Sequence, residues 1–214
     1  MDPIADQFAW VNGFNYAENE PIAHIDLWGL QKYFASDGSF LKQVGKDNSI
    51  RVVKEIRVGF FNTLRSNEAM LQTSNPLHSA DKEGQAEVIK SIYNNEVQPK
   101  IKLRKVIINW LDSEEAIQRS GDLAKTWEPG VIEFRTLKKH GGEYLLDDYN
   151  NLVNTMIHED EHSSKGKSGE PFVHFEIGML QAGHDSFRGV TPEFQAFFKE
   201  VMADYLTAQK RKIL

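Results

Sequence analysis

The spacing of apolar and polar positions divides the chain into an extended first part and a mainly helical second part. Lys32-Tyr33-Phe34-Ala35 runs into Asp37-Gly38, a two-residue hairpin signal, and Phe40-Leu41-Lys42-Gln43-Val44 follows. After a second turn at 45–48, residues 50–58 are rich in β-branched side chains and are expected as a longer strand. Together these predict an antiparallel β meander over 31–62. Residues 66–80 are polar, contain Asn75-Pro76 and read as a loop.

Helical spacing takes over from residue 81. Val88, Ile89, Ile92 and Tyr93 predict an amphipathic helix over 81–95. Ile101, Leu103, Val106, Ile107, Trp110, Leu111 and Ile117 predict a second, through Arg119 and stopped by Gly121. Residues 127–130 read as a turn and 131–137 as a strand, and Gly141-Gly142 breaks the chain. Asp147 or Asp148 then caps a helix whose apolar face is Tyr149, Leu152, Val153, Met156 and Ile157. Residues 163–171 have loop composition. Residues 172–182 predict a helix with Gly183 as its C-cap. Thr191-Pro192 starts a last helix, whose stripe of Phe194, Phe197, Phe198, Val201, Met202, Tyr205 and Leu206 is expected to be core. The expected fold class is α+β, an N-terminal β meander followed by a mainly helical part over 81–214.

Composition narrows the chemistry. The chain has no cysteine, so any metal must be held by His, Asp, Glu or water. The net charge of −6 argues against a nucleic-acid surface, which needs a basic excess. The densest basic run, Lys100-Ile-Lys102-Leu-Arg104-Lys105, reads as a solvated helix face. No apolar run approaches the roughly 20 residues of a bilayer span. Residues 1–6 have neither a basic nor an apolar signal region, so delivery outside the cell would rest on another carrier. There is no glycine-rich phosphate loop and no nucleophile elbow.

The pattern that carries chemistry is His158-Glu159-Asp160-Glu161-His162. Residues four apart share a helix face, so His158 and His162 can aim two imidazoles at one point. Two such nitrogens make half of a tetrahedral zinc site, and zinc lowers the pKa of a bound water to about 7. Glu159 is then placed to act as general base on that water. This His-Glu-x-x-His pattern is the zinc metallopeptidase motif. A catalytic site needs a third protein ligand and an open position. Glu176, on the following predicted helix, is the expected third ligand. His174 and His184 are rivals, and His174 and Glu176 cannot point the same way from one helix. Tyr144 and Tyr149 are candidate oxyanion donors. Asp160 and Glu161 are expected to face solvent, or one of them to bond a ligand histidine.

The motif with a downstream carboxylate resembles gluzincin-type peptidases, which implies a zincin-like domain. The segment His174-Phe-Glu-Ile-Gly-Met-Leu-Gln-Ala-Gly-His-Asp-Ser-Phe-Arg-Gly-Val-Thr-Pro-Glu-Phe194 resembles the tail of metallopeptidase toxin domains from polymorphic toxin systems. That resemblance implies Glu176 as ligand and gives Gln181 and His184 as residues that line the cleft or donate to an oxyanion. At the N-terminus, Asp2-Pro3-Ile4-Ala5 and Phe14-Asn15-Tyr16-Ala17-Glu18-Asn19-Glu20-Pro21-Ile22-Ala23-His24-Ile25-Asp26-Leu27-Trp28-Gly29-Leu30 resemble the end of an Rhs/YD-repeat core, where a variable toxin domain begins. Leu27 stands where many members have proline. The resemblance implies a junction remnant over 1–30 and a toxin domain over 31–214. It further implies delivery by a secretion system, an Rhs shell, a cognate immunity protein, and self-cleavage aspartates near the junction, with Asp26 as a candidate. The expectation is a Zn2+ peptidase acting on a protein or peptide. The alternatives are a non-catalytic metal-containing binding module and, less favoured, a nuclease-type Rhs toxin.

Overall fold

The computed structural model describes residues 31–44, 47–53, 74–97, 99–109, 122–135, 139–165 and 171–213. The Rhs-like junction, including Asp26, lies outside the described residues. So do the end of the expected meander and residues 110–119 of the second expected helix.

The hairpin forms as its turn signal requires. β1 (Gln31–Ala35) and β2 (Phe40–Val44) pair antiparallel across Asp37-Gly38. Gly38 has a φ of 83°, and a Cβ there would lie 2.5 Å from the Glu87 carbonyl oxygen, so both conformation and space demand glycine. The third strand departs from a meander. β3 (Ile50–Val53) does not pair with β2 but runs parallel to β1 on its other side, and β4 (Ser74–Pro76) completes the order β2-β1-β3-β4. Burial explains the arrangement. Ile50, Val52 and Val53 are buried and gain a partner on each edge, while β2, with exposed Phe40 and Leu41, is left outermost. Asn75-Pro76, expected in a loop, belongs to β4.

Helix α1 (Lys82–Ile92) starts where expected, with Asp81 accepting from the Gly84 amide at 2.7 Å, and ends in a π-helical turn over Tyr93–Val97. The following expectation fails. Residues 99–104 are irregular and Lys105–Asn109 is strand β5, not helix. The Val106-Ile107-Ile108 run is β-branched and pairs parallel to β7 (Val131–Arg135), the central strand of a second sheet ordered β5-β7-β6. β6 (Ala124–Glu128) pairs antiparallel with β7 and takes in Trp127 and Glu128, so the expected turn shrinks to 129–130. Gly141 and Gly142, at φ 58° and 99°, turn the short hairpin of β8 (Lys139–His140) and β9 (Glu143–Tyr144).

Three helices follow: α2 (Tyr149–Lys165), α3 (Pro171–Gly183) and α4 (Pro192–Ile213). Asp148 caps α2 by accepting from the Asn151 amide at 3.0 Å, and Thr191 caps α4 by accepting from the Phe194 amide at 3.2 Å. One apolar cluster joins the whole. It takes Phe34, Ile50 and Val52 from the first sheet, Val88, Ile89 and Ile92 from α1, Ile132 and Phe134 from the second sheet, Leu152 and Met156 from α2, and Phe194 and Phe197 from α4. The described residues are therefore α+β, with α2 packed on the edge strand β6 on one side and on α3 on the other.

One buried polar side chain fixes both ends of this helical layer. Asn151 donates to the Leu145 carbonyl at 2.8 Å and to Thr191 Oγ1 at 3.1 Å, and accepts from the Thr191 amide at 3.0 Å. Asn151→Leu keeps the shape but leaves those buried groups without partners. It should lower stability by about 2–3 kcal/mol, read as a drop in the urea midpoint at unchanged m-value.

Candidate metal centre

Helix α2 is unlike a solvated amphipathic helix. Along the turns that carry the motif, Thr155, Met156, Glu159, Asp160, His162 and Ser163 are all buried. Its polar residues therefore have to be satisfied from inside, and their partners define the site.

His158 and His162 lie one turn apart, as the spacing predicts, with their Nε2 atoms 3.1 Å from each other. The third member of the group is His174. Its ligand nitrogen and those of His158 and His162 all lie within 4.8 Å of one another, and the His162 and His174 rings are 4.6 Å apart. Glu176, the expected third ligand, does not join them. It is exposed on the opposite side of α3. On that helix Ile177, Gly178 and Gln181 are buried and His174 is partly buried, whereas Phe172, Met179 and Leu180 are exposed. Positions 174, 177, 178 and 181 share one face, so His174 and Gln181 point inward and Glu176 points away.

Gln181 is drawn to this site, but in a role other than an oxyanion donor. Its Oε1 accepts from His158 Nδ1 at 3.0 Å. The His158 proton is thereby held on Nδ1, leaving the Nε2 lone pair facing His162. Ligand histidines in zinc sites are oriented by this kind of bond on the other ring nitrogen. Asn154, one turn before His158, donates to the Gln181 carbonyl at 3.1 Å and to Ser186 Oγ at 2.9 Å, which holds the end of α3 against α2.

Glu159 turns toward β6. Thr126 Oγ1 donates to its Oε2 at 2.7 Å, and Glu159 borders the same cavity as the three histidines. Asp160 and Glu161 do not bond a ligand histidine. Asp160 is buried and accepts from the Tyr93 hydroxyl at 3.0 Å, while Glu161 pairs with Lys165 at 3.1 Å and Lys100 at 3.4 Å. His184 is exposed and caps the turn Asp185–Gly189, accepting from the Ser186 amide at 3.1 Å. It is not part of the cavity wall, and neither is Tyr144 or Tyr149. Tyr144 stacks on His78 at 3.9 Å. Tyr149 is buried under the Lys32 ammonium, 3.2 Å from its ring centroid.

The cavity is about 270 Å³. Its floor is the motif helix, one wall is Leu123 to Thr126 at the sheet edge, and the other is Phe197, Phe198, Val201, Met202 and Tyr205 of α4. The expected core stripe of α4 is thus divided. Phe194 and Phe197 are buried in the core cluster, Val201, Met202 and Tyr205 face the cavity, and Leu206 is exposed. Thr126 is not among the sequence candidates, and Tyr205 is expected there only as core. The Ala124-Lys125-Thr126 alternation was the available signal for Thr126. Tyr205 lies on the same spacing as the core aromatics, which hid it.

Burial shapes the protonation of the group. Burial, then the neighbouring His162, pushes His158 down to about 3, against the bond to Gln181. Burial and His174 push His162 down to about 4. Both imidazoles are therefore neutral, the ligating form. Burial raises Glu159 to about 7, opposed by the Thr126 hydrogen bond and reinforced by Asp122.

The spacing of the two histidines on the motif helix fits zinc, and the His174 nitrogen lies within 4.8 Å of both. Nitrogens about 2.0–2.1 Å from a tetrahedral centre stand roughly 3.3 Å apart, close to the 3.1 Å between His158 and His162. Three imidazoles, with no fourth protein ligand among the described residues, also match the ligand count of a catalytic rather than a structural centre. No protein-family model matches the chain, and no curated protein or solved structure matches it.

The ligand set and its protonation each have measurable consequences. His174→Ala should abolish stoichiometric zinc retention, Glu176→Ala should leave it intact, and Gln181→Leu should weaken zinc about 10–100-fold, all read by metal titration with a competing chelator. The metal-free protein should lose stability as pH falls from about 6.5 toward 4, because the unfolded chain takes up the protons that folded His158 and His162 refuse. Glu159, raised in the fold, works oppositely between 4.5 and about 7, so Glu159→Gln should steepen the acid loss in urea midpoints measured with chelator.

Proposed function

We propose that this chain is a zinc-dependent peptidase, and that it acts as the toxin tip of an Rhs-type effector. One observation carries the reading: three histidines converge beside a buried glutamate in a single cavity at the edge of a sheet. His158, His162 and His174 would hold the metal. Zinc in that position supplies a Lewis acid that polarises a carbonyl and lowers the pKa of water.

The remaining work falls to the chain's own residues. Glu159 takes the proton from the attacking water and passes it to the leaving amine, a role favoured by a carboxyl poised near neutrality. Thr126 fixes the glutamate's direction through its 2.7 Å hydrogen bond. Gln181 fixes the His158 ring. The apolar walls limit competing water. The absence of a fourth protein ligand among the described residues favours this reading over a closed, structural metal site. The N-terminal resemblance supplies the Rhs context and, with it, a protein or peptide target in another cell and a cognate immunity protein.

Glu159→Gln tests the proposal. It should retain zinc yet lose hydrolysis of an unstructured protein such as casein by about 10²–10⁴-fold. Toxicity in a host expressing the chain should fall with it. Full activity in this variant would sink the peptidase reading.

A further inference from the structure

The lining of the cavity says more about its occupant than the metal group does. Beside the histidines, α4 contributes Phe197, Phe198, Val201 and Met202 together with Tyr205, and the sheet edge contributes Leu123 and Ala124 together with Lys125. The two carboxylates of the lining are engaged: Asp122 lies 3.5 Å from the Arg135 guanidinium, and Glu159 accepts from Thr126. Asp122 therefore has a cationic partner, and Glu159 a hydrogen-bond donor, before any ligand arrives. Size is informative too. Sites for whole drug-sized ligands run from about 300 to 1,000 Å³, so 270 Å³ holds one or two side chains of a longer molecule. A Cβ on Gly178 would lie 2.3 Å from Met202 Sδ, so the absent side chain lets the Met202 thioether pack directly against α3 at the cavity edge. Methionine adapts its shape to what it meets.

From these we infer that the cavity is a subsite for one medium-sized apolar side chain, of leucine or methionine size, on a peptide whose backbone passes the three histidines. The inference rests on the peptidase reading only in taking the occupant to be a peptide. An apolar wall of this kind favours an apolar over a charged side chain, because a charge set against Phe197, Phe198, Val201 and Met202 would lose its water without gaining a partner there.

The test reads binding apart from catalysis. Protein carrying 13C-methyl methionine is stripped of metal and titrated with blocked Gly-Xaa-Gly tripeptides, Xaa being Leu, Met, Asp or Lys, and the Met202 methyl signal is assigned with Met202→Leu. The Met202 methyl should shift with the Leu and Met peptides, at affinities at least about tenfold above those of Asp and Lys. A Met202 signal that none of them moves, or equal or stronger binding of the Asp or Lys peptide, overturns the subsite. The zinc-loaded protein is then given longer peptides randomised at each position. Apolar-selective binding without any cleavage would defeat the peptidase reading and leave the subsite standing. Cleavage with no apolar preference at any position would do the reverse.

Discussion

Three imidazole nitrogens gathered at the wall of one cavity form the constraint on which this structure turns. Each imidazole would be protonated in part near neutrality if exposed, and three positive charges within 4.8 Å would force the helices apart. Burial resolves the conflict by keeping His158 and His162 neutral, each with one ring nitrogen able to act as a ligand. A divalent cation is the natural complement to such a group. The polar bonds of α2 serve this arrangement. Asn151 ties its start to α4, Asn154 ties its middle to α3, Asp160 ties its far side to Tyr93, and Thr126 ties Glu159 to the sheet.

The site is divided between elements distant in sequence. The motif helix supplies two imidazoles and the acid, α3 supplies the third imidazole and the glutamine that orients the first, β6 supplies the hydroxyl, and α4 supplies the apolar wall. Because each contribution comes from a different element, the site depends on the shared core beneath it. Phe134, Met156 and Phe194 bring β7, α2 and α4 into one cluster, so a void there would be transmitted to the ligand geometry.

Much of this was legible in the residues themselves. The motif's four-residue spacing placed His158 and His162 together, Asp147-Asp148 and Thr191 announced their helices, and Asp37-Gly38 announced its turn. What was not legible depends on partners far along the chain. The Val106-Ile107-Ile108 run fits a helix or a strand, and only its pairing with β7 decides. The parallel pairing of β1 with β3 carries no local signal either. The choice between His174 and Glu176 turned on the rotation of α3. That helix has apolar residues on every side, with Phe172, Met179 and Leu180 exposed, so no stripe marked its inner face. The seven-residue spacing of His174 and Gln181, two turns on one face, was the clue in the sequence.

X-ray absorption at the zinc edge of the metal-loaded protein tests the central claim most directly. The account predicts three imidazole nitrogens and one solvent oxygen at about 2.0–2.1 Å, falling to two imidazoles in His174→Ala. A first shell of two imidazoles with a protein carboxylate, unchanged by that substitution, would contradict it.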